Sequence, residues 1–121
     1  FCGTVSDEAV LAAQGSTITS AELKAKMDAG DDFYLVDVRE PAEYEIVKIP
    51  GSTLIPKGDI ISGAALADLP QDKPVILYCK TGVRSAEALA VLKNAGFRDA
   101  THVQGGVVGW VRQIDPSLPI Y

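Results

Sequence analysis

Cys79 is the residue best placed to do chemistry, because of the residues on its C-terminal side. The run Cys79-Lys80-Thr81-Gly82-Val83-Arg84 is a six-residue loop with a thiol at its first position and a guanidinium at its last, and Ser85 comes next. Val75-Ile76-Leu77-Tyr78 ahead of it reads as a buried strand, and the apolar-periodic run from Ala86 to Ala95 reads as a helix. A thiol held between a strand end and a helix start faces unsatisfied backbone N–H groups that carry partial positive charge. Such groups favour an anion, so the expected product is a nucleophilic thiolate. A second polar cluster, Asp37-Val38-Arg39, closes the apolar run Phe33 to Val38. In a parallel sheet, ligands bind beyond the carboxyl ends of the strands, so these two strand ends are expected on one edge.

The elements that must position these residues alternate along the chain. Thr17-Ile18 suggests a short strand, and Thr19 with Glu22 forms a capping box ahead of Leu23 and Met27, closed by Gly30. The continuous apolarity of Phe33 to Val38 suits a parallel strand covered on both faces. Pro41 opens a short helix through Glu45, Ile49-Pro50-Gly51-Ser52 breaks it, and Thr53 to Ile55 reads as another strand. Residues 57–69 are weakly patterned, with a helical turn or two expected around Ala64 to Asp68. After the central strand and helix, Gly96 is a left-handed terminator, Thr101 to Val103 a last strand, and Val107 to Gln113 a final helix bearing Trp110. This alternation predicts an α/β fold with a mostly parallel five-stranded sheet and helices on both faces.

Composition narrows the function. The chain has 121 residues, enough for one core, and its net charge of −5 comes without any basic cluster that would track a nucleic acid. No apolar run reaches the roughly 20 residues of a membrane span, and the first residues lack the build of a signal peptide. A soluble, cytoplasmic protein with no nucleic-acid or membrane partner is expected. Two cysteines, Cys2 and Cys79, make neither a disulfide framework nor a zinc site, so Cys79 is expected to be reduced. Residues 1–16 are small, polar and acidic, with a possible short helix from Ser6 to Ala13. They fit a linker or the tail of a preceding domain, leaving residues 17–121 as the folded unit.

Taken in order and spacing, four segments carry a resemblance. They are Leu35-Val36-Asp37-Val38-Arg39-Glu40, Ile49-Pro50-Gly51-Ser52, the loop Cys79 to Arg84, and Gly105-Gly106 with Trp110. From about Thr17 to Tyr121 the sequence resembles the rhodanese family of sulfurtransferases. Lys48 departs from the pattern, since many members have histidine there. Phe1-Cys2-Gly3, the cysteine loop and the ending Pro119-Ile120-Tyr121 are similar to two-domain adenylyltransferase/sulfurtransferases of the MoeZ type, in which the rhodanese domain is C-terminal. The resemblance implies a rhodanese-like fold and a persulfide on Cys79. It implies a sulfur donor, either thiosulfate or a cysteine-desulfurase persulfide, and an acceptor at the activated C-terminus of a ubiquitin-like sulfur carrier protein. The pathways served are molybdopterin, thiamine or cysteine biosynthesis. No cofactor is expected in this domain; ATP and zinc would belong to the adenylyltransferase domain.

Each residue also has a plainer reading. Cys79 can be a small buried apolar group, although a polar glycine-containing loop is a poor wall for one. Lys80 can be a solvated charge, and so can Arg84, whose forked donors otherwise suit thiosulfate or a carboxylate. Thr81 and Val83 are expected to contribute backbone N–H groups, and Gly82 the positive φ that a tight anion ring needs. Ser85 is either a helix N-cap or a hydroxyl donor to the site, with capping favoured. Asp37 and Arg39 are either a structural ion pair, or a brace for the loop and a positive charge at the pocket mouth. On the second reading Arg39→Ala or Arg84→Ala raises KM for thiosulfate more than it perturbs folding. His102 is read as a surface or strand residue without a general-base role, Trp110 and Gly105-Gly106 as packing and turn elements, and Cys2 as part of a neighbouring domain. Two other functions compete: a catalytically silent rhodanese module used for protein docking, and a phosphatase of the Cdc25 type. The silent modules commonly lack the cysteine, and those phosphatases have a loop longer by one residue.

Overall fold

The computed structural model of the chain describes residues 16–121. The expected linker, apart from Ser16, the helix from Ser6 to Ala13 and Cys2 lie outside the described residues. Five strands, β1 (Thr17–Ile18), β2 (Tyr34–Asp37), β3 (Thr53–Leu54), β4 (Val75–Tyr78) and β5 (Ala100–Val103), form one all-parallel sheet in the order β1-β5-β4-β2-β3. The helices are α1 (Ser20–Asp28), α2 (Pro41–Ile46), α3 (Lys57–Ile61), α4 (Val83–Asn94) and α5 (Gly106–Gln113), with a 3-10 turn at Leu66–Asp68.

Local chemistry sets most of these boundaries. The Thr19 hydroxyl accepts from the Glu22 amide at 3.0 Å and the Glu22 carboxylate accepts from the Thr19 amide at 2.9 Å, so the capping box starts α1 as the sequence predicts. Pro41 opens α2, and positive φ at Gly30 and Gly96 turns the chain out of α1 and α4. Residues 57–69 differ from the expected pattern. The helix forms earlier, at Lys57–Ile61, where Ile60 is fully buried, and only the 3-10 turn falls in the predicted stretch. A single apolar anchor leaves no periodicity to read.

The core divides at the sheet. Val75, Leu77 and Cys79 face one side, with Val36, Val38 and Ile60 and with Leu89 and Leu92 of α4. Ile76 and Tyr78 face the other, with Leu35, Leu23 of α1, and Val107, Trp110 and Val111 of α5. Strand side chains alternate between faces, so each strand residue's parity decides which core it joins.

Candidate active site

The carboxyl ends of β2 and β4 are neighbours, because Asp37 is paired with Tyr78 in the parallel register. Cys79 is therefore the first residue beyond the central strand, and it is buried, with only 1% of its surface exposed. The loop after it is shaped from behind by α5. The Val107 and Val108 amides, in the first turn of α5, donate to the carbonyls of Cys79 and Lys80 at 2.9 and 3.2 Å. With those carbonyls held away, the loop curls around the sulfur, and the Gly82 amide donates to Cys79 Sγ at 3.0 Å. Gly82 has φ of 121°, so the expected positive φ lies at this glycine.

Ser85 departs from its favoured role. The N-cap of α4 is Gly82, which places Ser85 inside the first turn, fully buried. Its Oγ lies 3.6 Å from Cys79 Sγ, 3.2 Å from the Gly82 carbonyl and 2.9 Å from His102 Nδ1. The hydroxyl belongs to the cysteine's surroundings rather than to a cap. His102 is a strand residue, as one of its two readings has it, but it does not lie at the surface. It is buried, with 5% of its surface exposed, it is opposite Leu77 in the register, and burial pushes its imidazole toward the neutral form. Its parity matches Ala100, which lies in the α4-side core with Leu77 and Cys79. That parity is the signal through which the sequence could have found it.

Asp37 and Arg39 form the structural ion pair and do not line the loop. Arg39 donates through Nε to both Asp37 oxygens at 2.9 and 3.0 Å and through Nη2 to Oδ2 at 2.6 Å. The remaining donors reach the Val47 carbonyl and, from Nη1 at 2.8 Å, the Tyr121 hydroxyl. Both side chains are fully buried, so the expectation of a positive charge at the pocket mouth is corrected. Parity gives the reason: Asp37 and Arg39 share the face of Leu35, and Cys79 shares the opposite face. Burial is the largest single influence and works against the guanidinium charge, but the bonds that Arg39 donates to Asp37 and Tyr121, together with the nearby negative charge, outweigh it and hold the arginine protonated.

Arg84 is at the rim of the loop and makes a forked pair with Glu43 of α2, at 2.7 and 2.9 Å. Glu43 also accepts from the Tyr121 hydroxyl. Lys80 sits over the Tyr121 ring, 4.4 Å from its centroid. Tyr121 thus links Arg39 inside the fold to Arg84 and Lys80 at the loop; the sequence marks it only as part of the Pro119-Ile120-Tyr121 ending, with no role, and Glu43 only as a residue of a short helix. Val83 points outward, 69% exposed, while Thr81 stands in the wall of a cavity beside the loop.

The Arg84 guanidinium holds the Glu43 carboxyl down at about 2, against the smaller opposing effect of burial. A depressed carboxylate stabilises the fold above its unfolded pKa, and that contribution is lost as pH falls through the folded value. In urea unfolding followed from pH 6 to pH 2, Glu43→Gln is therefore expected to be the less stable protein at pH 6. Its deficit should shrink as pH drops below the ordinary carboxylate range; a deficit constant with pH would show that the pair contributes nothing through its charge.

The rhodanese-like domain family matches residues 19–113. Over all of its length the chain is 57% identical to "Probable adenylyltransferase/sulfurtransferase MoeZ" of Mycobacterium tuberculosis, of which it spans 31%. Over 85% of its length it is 33% identical to a protein named "Sulfurtransferase" from Allochromatium vinosum, covering 92% of that protein. Among solved structures, the rhodanese-like domain protein of Staphylococcus aureus superposes with a TM-score of 0.74 at 33% identity, over 88% of this chain and 98% of that one. The chain belongs to the rhodanese-like domain family, and its homology to named sulfurtransferases supports sulfur transfer as its general activity.

Proposed function

We propose that this domain carries a sulfane sulfur as a persulfide on Cys79, needs no cofactor of its own, and works in the cytoplasm. The supporting observation is the Gly82 amide at 3.0 Å from Sγ, in a six-residue loop whose carbonyls at Cys79 and Lys80 are turned away. A main-chain donor on the sulfur favours a sulfur anion, and a six-residue loop is small for a phosphoryl group. With thiosulfate as donor, the Cys79 thiolate attacks the outer sulfur, a new S–S bond forms, and sulfite leaves with the electron pair of the old one. The acceptor then attacks, or is attacked by, the outer sulfur of the persulfide.

The similarity to MoeZ supports, as acceptor, the activated C-terminus of a ubiquitin-like sulfur carrier protein. There the outer sulfur attacks the acyl carbon, the adenylate leaves, and an external thiol reduces the S–S bond to free the thiocarboxylate. Arg84 swings from Glu43 to the incoming carboxylate or thiosulfate, for which its fork is the right shape. Arg84→Ala is expected to raise KM for thiosulfate.

Cyanide-dependent thiocyanate formation is expected from the chain with thiosulfate and to vanish in Cys79→Ala. Intact-mass analysis after donor treatment should show one added sulfur atom in the wild type alone. Turnover that persists without Cys79, or a wild-type protein that takes up no sulfur from any sulfane donor, would overturn the reading.

A further inference from the structure

His102 is a buried titratable group without a part in the sulfur-transfer steps of Cys79. It touches the reacting sulfur through one intermediary, since its Nδ1 is 2.9 Å from Ser85 Oγ and that oxygen is 3.6 Å from Cys79 Sγ. Its other nitrogen, Nε2, is buried and has no hydrogen-bond partner among the described residues. We infer that His102 is a positioning residue for the sulfur chemistry: its Nδ1–H donates to Ser85 Oγ and thereby leaves the serine's own proton free for Cys79 Sγ.

The orphaned nitrogen decides the tautomer. A neutral imidazole has one N–H and one lone pair. If the proton were on Nε2, the structure would bury an N–H with no acceptor, and Ser85 would donate its only proton to Nδ1. If the proton is on Nδ1, the only orphan is a bare lone pair. Orphaned buried N–H groups are the rarer of the two and cost a lost hydrogen bond. Burial favours the neutral ring, so a tautomer rather than an imidazolium is at issue.

With Nδ1–H donating, Ser85 has one proton and two acceptors, the Gly82 carbonyl at 3.2 Å and Sγ at 3.6 Å. While sulfur is a thiol, its S–H donates to Oγ and the serine proton goes to Gly82. Once sulfur is a thiolate or the inner atom of a persulfide, the hydroxyl rotates toward it and adds a second donor to the Gly82 amide. The rotation moves no proton between residues. The other charged groups nearby are Lys80 and Arg84 on the loop and Glu87, which lines with His102 a cavity of about 410 Å³.

The positioning role rests on Cys79 as the reacting sulfur, and its test reads the thiol directly, without sulfur transfer. Nitrogen NMR of the wild-type ring should show Nδ1 protonated and Nε2 bare at neutral pH. Alkylation of Cys79 by iodoacetamide at neutral pH should slow about tenfold in Ser85→Ala and in His102→Leu, the scale of one hydrogen bond to a charged group. The plateau rate at high pH should stay the same, and the double variant should be no slower than either single one. His102→Asn, which keeps a donor near the position of Nδ1, should recover most of the neutral-pH rate, and this rescue separates positioning from packing. Nε2 protonated in the wild-type ring, or His102→Leu alkylated at the wild-type rate, would overturn the inference whether or not Cys79 transfers sulfur.

Discussion

Gly106→Ala is expected to lower sulfur transfer at least ~100-fold and to cost about 3 kcal/mol or more in stability. A Cβ at this glycine would lie 2.4 Å from the Lys80 carbonyl oxygen and 2.5 Å from that of Cys79. Both obstacles are backbone, so relief requires that α5 and the cysteine loop move apart. The movement would break the Val107 and Val108 bonds that turn those carbonyls away from the sulfur. Backbone strain adds to the clash, because Gly106 has φ of +58°. The adjacent Gly105→Ala separates the two effects. Its φ is +80°, but the nearest atom to its Cβ is 3.6 Å away, so only the left-handed cost of about 1–2 kcal/mol applies, with little loss of turnover. Urea unfolding together with thiocyanate formation on both variants checks the contrast; equal losses would refute the role of the contact.

Arg39→Ala is expected to destabilise the fold by about 3–5 kcal/mol, because it strands a fully buried Asp37 carboxylate without its partner. It also removes the Nη1 bond to Tyr121 and so loosens the link from the interior to Glu43 and Arg84. Arg84→Ala should cost at most about 1 kcal/mol, since its pair with Glu43 is part-exposed, and should act on KM instead. The two arginines are thus expected to divide between folding and binding. Replacing Asp37 and Arg39 together by apolar residues of similar volume should recover much of the loss, as buried pairs often tolerate. Comparing urea midpoints of the single and double variants tests this, and a double variant as unstable as Arg39→Ala would refute it.

The range of each interaction decides how far the sequence can be read. The capping box of Thr19 and Glu22, the Pro41 helix start and the positive φ at Gly82 depend on neighbours in the chain, and all are legible. The five strands and their parallel direction, though not their order in the sheet, come from alternation of elements and continuous apolarity. The pairs that complete the site are long-range: Glu43 with Arg84 is 41 residues apart, and Tyr121 with Glu43 is 78. Nothing local marks them. Asp37, Arg39 and His102 are an intermediate case. Strand parity implies their faces, but at a carboxyl edge taken as a whole every strand-end residue looks alike. Arg39 is then left open between an ion pair and a charge at the mouth, and His102 is left out.

The tether between α5 and the cysteine loop bears on how such a domain can diversify. The bonds that α5 makes to positions 79 and 80 are backbone to backbone, and the Gly82 contribution to the sulfur cradle is likewise a main-chain amide. The side chains of Lys80, Thr81 and Val83 take no part in either. Those three positions can change identity while the cradle keeps its shape, so charge, size and polarity at the rim are adjustable one residue at a time. A library randomised at 80, 81 and 83 should therefore retain folded, sulfur-loading members while shifting which donor or acceptor docks. Positions 82 and 106 should admit almost nothing but glycine.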